Sequence, residues 1–295
     1  MKHQTKRILH WSGSVLAVLG IAFVVMRFRD YENTLDFSGF DASSWSAVAG
    51  LILLCGLANL MLAFAWWNLL AQLGATRSTR WAVKTYGVSQ LAKYVPGNIF
   101  HLASRQAIGM AAGVAGWPLA KSSVLELGML VVAGSIFTVL AAPLIMHDLS
   151  GSGAVILFIL AETAAAGVIG YFSGRAVARA FAFHVLFLAI SAAIFVCLVK
   201  LVATPSPADA APWVALGGAY VLAWLAGFLT PGAPAGLGIR EVVLLLLLKG
   251  LIGEADLLLA IVLGRAITIG GDCLFYVGAS LLRVKSNAPA NEPTP

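Results

Sequence analysis

The sequence predicts an all-α, polytopic integral membrane protein with six full transmembrane helices plus two Pro-Gly-broken re-entrant hairpins in an inverted repeat. Three observations lead there. The 295-residue chain is 60% hydrophobic and 11% charged, with a mean hydropathy of +0.91, against roughly 45–50% apolar and about 25% charged residues in soluble domains. Its apolar residues come in long runs and not in the alternating pattern of a transmembrane barrel, and without water in the bilayer core such runs satisfy their backbone only as helices. Two of the runs are longer than one span and are broken near the middle by Pro-Gly.

A spanning helix needs about 20 mostly apolar residues. Ile8 to Met26 is the first such run, after Lys2, Lys6 and Arg7. The same pattern suits a cleavable signal peptide, but no small-x-small cleavage site follows closely, so a retained helix is expected. Trp45 to Leu73, Trp117 to Met146, Ala154 to Tyr171, Phe181 to Ala203 and Leu257 to Leu282 complete the six. The broken stretches are Val83 to Val114 and Pro212 to Gly250.

Orientation follows from the loops. The groups Lys2/Lys6/Arg7, Arg77/Arg80/Lys84, Arg175/Arg179 and Arg283/Lys285 are expected on the cytoplasmic side, and "HDLSGSG" and "TPSPADAAP", without Lys or Arg, on the outside. Arg27 and Arg29 in the first outer loop dissent mildly, accompanied by Asp30, Glu32, Asp36 and Asp41. If both broken stretches crossed fully, the Arg175/Arg179 loop would fall outside. If neither crosses, every basic loop falls inside. The first stretch is therefore expected to dip in from the cytoplasm and the second from outside. Residues 1–43 then form the first helix and outer loop, 44–285 the membrane domain, and 286–295 a disordered cytoplasmic tail.

The two breaks align. "PGNIFHLASRQ" runs from Pro96 to Gln106 and "PGAPAGLGIRE" from Pro231 to Glu241, each reading Pro-Gly, seven residues, Arg, then Gln or Glu. With their flanking spans they define repeats over about 45–146 and 181–282, running in opposite senses, as in secondary transporters. Proline removes a backbone donor and glycine lets the chain reverse, so polar backbone is freed at membrane depth and tolerated only beside protein or a wet cavity. Helices starting near Asn98 and Gly236 would turn their positive ends toward a shared midplane cavity. An anion is the natural occupant.

Charges within spans normally face a cavity or a partner, because their insertion costs about 2.5–3.5 kcal/mol. The expected substrate-binding set is Tyr94, Pro96, Gly97, Asn98, His101 and Arg105 from the first break, Pro231, Gly232, Gly236, Gly238, Arg240 and Glu241 from the second, and Arg265 from the last span. Arg105 and Arg240 suit bidentate phosphate contact, although each is equally suited to pairing with a neighbouring helix. Tyr94, Asn98 and His101 read headgroups or satisfy their own hairpin. Arg265 and Asp272 share a face two turns apart, with Glu126, Arg105 or Glu241 as partners across the bundle. Glu126 and Asp272 are coupling or structural charges. Glu162 and Lys200 are weaker candidates, and Lys93 snorkels or binds substrate. Trp66, Trp67, Trp81, Trp117 and Trp213 lie near span ends as interfacial anchors.

Cys55, Cys197 and Cys273 are far apart without Cys-x-x-Cys spacing, so neither a disulfide framework nor a zinc site is indicated. No metal and no cofactor is expected. The net charge of +6 resides in loops beside spans and implies no nucleic-acid partner.

"KYVPGNIFH" followed by "TPGAPAGLGIRE" resembles the paired signatures of the lysylphosphatidylglycerol synthase transmembrane-region family, also called the flippase-like domain family, over roughly Trp45 to Leu282. Gly236 to Glu241 is the more specific part. The resemblance implies a protein of the bacterial cytoplasmic (inner) membrane, with both termini cytoplasmic, that moves an anionic phospholipid or lipid-linked precursor between leaflets. The soluble aminoacyl-transferase domain of the bifunctional members has no counterpart, so synthase chemistry is not expected. Asn98-Ile99-Phe100-His101 replaces a more glycine-rich run, which points to a different headgroup. No phosphate-binding loop accompanies the spans, nor HExxH, nor GxSxG. A translocase is therefore the leading expectation. A membrane-embedded lipid-modifying enzyme and a non-transporting partner of an envelope glycosyltransferase complex are the alternatives.

Overall fold

The computed structural model describes residues 40–95, 99–146, 148–203, 213–230, 234–236 and 238–284. Among them every regular element is helical: α1 (Ala42–Gln72), α2 (Thr79–Gln90), α3 (Phe100–Ala111), α4 (Gly116–Ile136), α5 (Thr138–Ala141), α6 (Gly151–Ser173), α7 (Arg175–Val202), α8 (Trp213–Leu229), α9 (Ile239–Leu248) and α10 (Glu254–Leu281). Short 3₁₀ turns at Leu91–Tyr94, Ala142–Leu144 and Pro234–Gly236 join or extend them.

Five helical stretches are long and apolar enough to cross a membrane, over Ala42–Gln72, Gly116–Leu144, Gly151–Ser173, Arg175–Val202 and Asp256–Leu281. They coincide with five of the six runs expected from sequence, within a few residues at each end. The sixth run, Ile8 to Met26, lies outside the described residues, as do Pro96, Gly97, Asn98, Pro231 and Gly232 at the breaks and the tail over 286–295.

Helix α1 is capped at Asp41, whose carboxylate accepts from the Ser44 amide at 2.8 Å and from the hydroxyls of Ser44 and Ser43. These bonds, led by those from Ser44, hold the exposed carboxyl down to about 2. From there α1 runs through the bundle and packs chiefly on α7 and α10. Its crossing with α10 depends on missing side chains, because a Cβ at Gly271 would stand 2.9 Å from the Gly56 amide nitrogen. Small residues at such a crossing bring backbones together where apolar lipid gives helices no hydrophobic reason to associate.

Helix α6 behaves differently. Within its spanning window only 6% of residues are buried, and Ile156, Leu160, Val168 and Phe172 all point outward. An apolar helix with so little buried surface suits a lipid-facing position at the rim of the bundle. Trp66 goes the other way and corrects an expectation. It is fully buried, and its indole donates to Ser122 Oγ at 3.0 Å, so it is a core residue and not an interfacial anchor. Trp117, 75% exposed, retains a position fit for an interface.

At each break the two flanking helices lie in contact. Helix α2 packs against α3, and α8 against α9. The second reversal is tight, because Ala235, Gly236 and Gly238 have φ of +48°, +72° and +85°. Two glycines supply this left-handed backbone without a Cβ clash, whereas Ala235 adopts it at a cost of roughly 1–2 kcal/mol. The reversal also lies against α8, since a Cβ on Gly227 would come within 2.9 Å of Gly236 Cα.

Candidate functional site

The short turns at the two breaks, Leu91–Tyr94 and Pro234–Gly236, contact one another. Between them and the bundle lies a cavity of about 110 Å³. Lys93 and His101 line it from the first broken stretch, Ala235 and Arg240 from the second, and Arg265 and Asp272 from α10. Aromatic rings complete the lining, with Phe187, Tyr220, Trp224 and Phe228. Trp224 stacks on Phe228 with ring centroids 5.0 Å apart and meets Phe187 edge-on at 6.0 Å, which fixes the shape of that lining.

Helix α10 grips both breaks. Asp272, 1% exposed, pairs with Lys93 Nζ at 2.7 Å, accepts a short hydrogen bond from the Tyr94 hydroxyl, and accepts from Asn59 Nδ2 at 3.0 Å. Two turns earlier, Arg265 donates through Nε to Glu241 at 2.5 Å and through its two terminal nitrogens to the carbonyls of Ala235 and Gly236 at 2.9 and 3.1 Å. The carbonyls freed by the second break are therefore met by a guanidinium whose fork geometry suits two adjacent acceptors. The expected partner of Arg265 included Glu241, and the structure places the two together. Asp272 departs from expectation, since it reaches none of Glu126, Arg105 and Glu241. The 3₁₀ turn after α2 carries Lys93 and Tyr94 onto it first.

Arg105 and Arg240 sit in related surroundings. The guanidinium of Arg105 lies 3.7 Å from the centroid of Tyr86, and that of Arg240 lies 4.3 Å from the centroid of Tyr220. Both tyrosines come from the helix before the break, and both arginines are nearly fully buried. Arg105 additionally donates to Glu126 at 2.5 Å, while the Tyr86 hydroxyl donates to the other carboxylate oxygen at 2.7 Å. No carboxylate among the described residues makes an ion pair with Arg240. Arg240 lines the cavity, and Arg105 does not.

The remaining candidates are distributed as follows. Gly236 shapes the second reversal, and Gly238 immediately precedes α9 without a side-chain cap; α3 and α9 begin at Phe100 and Ile239, slightly beyond the expected starts. Neither helix start has a side-chain hydrogen bond on its first amides. Lys200 lies 4.2 Å over the ring of Trp213, away from the cavity. Glu162 is buried on α6, remote in sequence from every cavity residue, and both its oxygens lack a partner. Among the described residues no cluster of three His, Cys, Asp or Glu side chains is arranged to hold a metal ion.

Sequence reasoning missed Tyr86, Tyr220, Asn59 and the aromatic lining. The tyrosines carried a usable signal, because they precede Arg105 and Arg240 by 19 and 20 positions and extend the aligned breaks upstream. Asn59 carried none, being, like Asn68, an isolated amide inside a long apolar helix. Searches found no family model that matches the sequence and no curated protein that matches it.

Proposed function

We propose that this protein is a flippase-like lipid translocase: an anionic phospholipid or lipid-linked precursor places its charged group between the two broken elements while its tail stays in the bilayer. The observation that carries this reading is the shared cavity, lined by Lys93 and His101 of one break and by Arg240 of the other. An intramembrane cation beside such a cavity suits a ligand's phosphate, and the aromatic lining suits its less polar part.

The hairpin reading rests on lengths and loops. Helices α2 and α3 have 12 residues each, or about 18 Å, short of the roughly 30 Å hydrocarbon core. With the basic loops placed inside, the two broken elements enter from opposite faces and meet near the middle. The halves related by this inversion would expose the site alternately by moving against each other. The likeness of "TPGAPAGLGIRE" to the flippase-like signature supports the same assignment, and with it a place in a bacterial cytoplasmic membrane.

The test is reconstitution into liposomes with a panel of fluorescent lipids, following leaflet exchange by dithionite quenching. Wild type should accelerate exchange of at least one anionic lipid, and Arg240→Ala should slow it. Equal exchange with and without protein across the whole panel would overturn the reading.

A further inference from the structure

The charges around the cavity form a closed set with one left over. Lys93 pairs with Asp272, Arg105 with Glu126, and Arg265 with Glu241. Arg240 is the remaining cation, with no ion pair of its own among the described residues. At pH 7.5 the ordinary values of histidine, cysteine and tyrosine leave those side chains neutral, so His101, Cys55, Tyr86 and Tyr220 do not alter the count.

We infer that the cavity is built for a headgroup bearing one negative charge, a monoanionic phosphodiester, with Arg240 as its counter-charge. This deepens the translocase reading and rests on it. A zwitterionic headgroup would leave the Arg240 charge uncompensated. A phosphate monoester, whose second ionisation lies near pH 6, would bring a second charge that must break one of the three pairs. Burying an unpaired charge of either sign costs several kcal/mol, so one charge is the number that closes the set.

A second observation points to the same class of ligand. Nδ1 of His101 and Oε2 of Glu241 are buried with no hydrogen-bond partner. His101 lines the cavity, and Glu241 lines a small pocket adjoining it that also contains Arg240 and Tyr220. Headgroup hydroxyls beyond the phosphate supply the missing partners, whereas a quaternary ammonium has no hydrogen to donate.

The test reads binding and not transport, so its failure is separable from failure of the translocase. Detergent-solubilised protein is melted at pH 7.5 with equal concentrations of short-chain dihexanoyl phosphatidylglycerol, phosphatidylcholine and phosphatidate, and with dimethyl phosphate as a tailless monoanionic phosphodiester. Wild type should be stabilised most by phosphatidylglycerol. Arg240→Gln should lose the preference for phosphatidylglycerol over phosphatidylcholine, and Arg240→Lys should keep it. Glu241→Gln, which leaves Arg265 without its counter-charge, should move the preference to phosphatidate.

Equal shifts by phosphatidylglycerol and phosphatidylcholine in wild type, or an unchanged order in Glu241→Gln, would overturn the charge count even if leaflet exchange succeeds. Dimethyl phosphate matching the lipid would keep the count and assign the site to a soluble anion, which removes the lipid translocase instead.

Discussion

In the first broken element Arg105 lies over Tyr86 and is met by Glu126; in the second Arg240 lies over Tyr220 and meets no carboxylate among the described residues. The arginine-on-tyrosine stack is common to both. A cation over an aromatic face gains about 2 kcal/mol or more when desolvated, enough to position a guanidinium but not to repay its burial. Glu126 supplies the counter-charge through one terminal nitrogen of Arg105, while Nε and the other terminal nitrogen are buried without a partner, and the pair ties α3 to α4. Arg240 is the position at which the proposed ligand would supply the counter-charge. Two like positions therefore differ in one respect: Arg105 has a carboxylate partner, and Arg240 has no ion pair among the described residues.

The sharpest way to break this comparison is at the first site. Glu126→Ala removes the counter-charge of a fully buried arginine, and stability should fall by about 3–5 kcal/mol, seen as loss of monodisperse protein after detergent extraction and a much lower melting temperature. Arg105→Met with Glu126→Leu removes both charges and should recover most of the loss. An Arg105→Met/Glu126→Leu protein as unstable as Glu126→Ala would show that the pair does more than neutralise itself.

Arg265→Met should come next. It strips one ion pair and two carbonyl partners from the second break, and charged hydrogen bonds contribute about 1.5–3 kcal/mol each. Limited proteolysis should then cut near residues 231–238 faster than in wild type. Asp272→Asn tests the opposite grip: Lys93 loses its counter-charge while Tyr94 and Asn59 keep an acceptor or donor, so the first break should loosen less.

Arg240→Ala should separate stability from activity. Its loss of stability should stay within about 0.5–2 kcal/mol, the size of a cation–aromatic contact, while lipid exchange falls about tenfold or more. A large stability loss with exchange scaled in proportion would return Arg240 to the structural class.

The smallest effect lies outside both sites. Asp41→Ala should lower the melting temperature slightly through loss of the α1 cap. The carboxyl's ordinary value of 3.8 is depressed to about 2 by folding. Its stabilisation is therefore complete above pH 3.8 and lost as pH falls through about 2, where wild type and variant should melt alike.

Much of the fold was legible because spanning length is a local property. Trp45 to Leu73 declares a crossing by itself, and α1 occupies nearly the same residues. The interruptions between α2 and α3 and between α8 and α9 were legible too, since proline and glycine in the sequence disfavour a continuous helix there. Partners were not. Lys93 and Asp272 lie 179 positions apart, and nothing in either neighbourhood states that a 3₁₀ turn will carry the lysine to α10. Trp66 misled for a related reason. A tryptophan near a span end suits an interface, but which side of the helix it occupies depends on where Ser122 arrives from α4.

The spacing of Arg265 and Asp272 has a mechanical meaning. Seven residues of helix separate them by about 10.5 Å along one face, and each holds a different break. A displacement of α10 therefore bears on both breaks at once, through Asp272 on the first and Arg265 on the second.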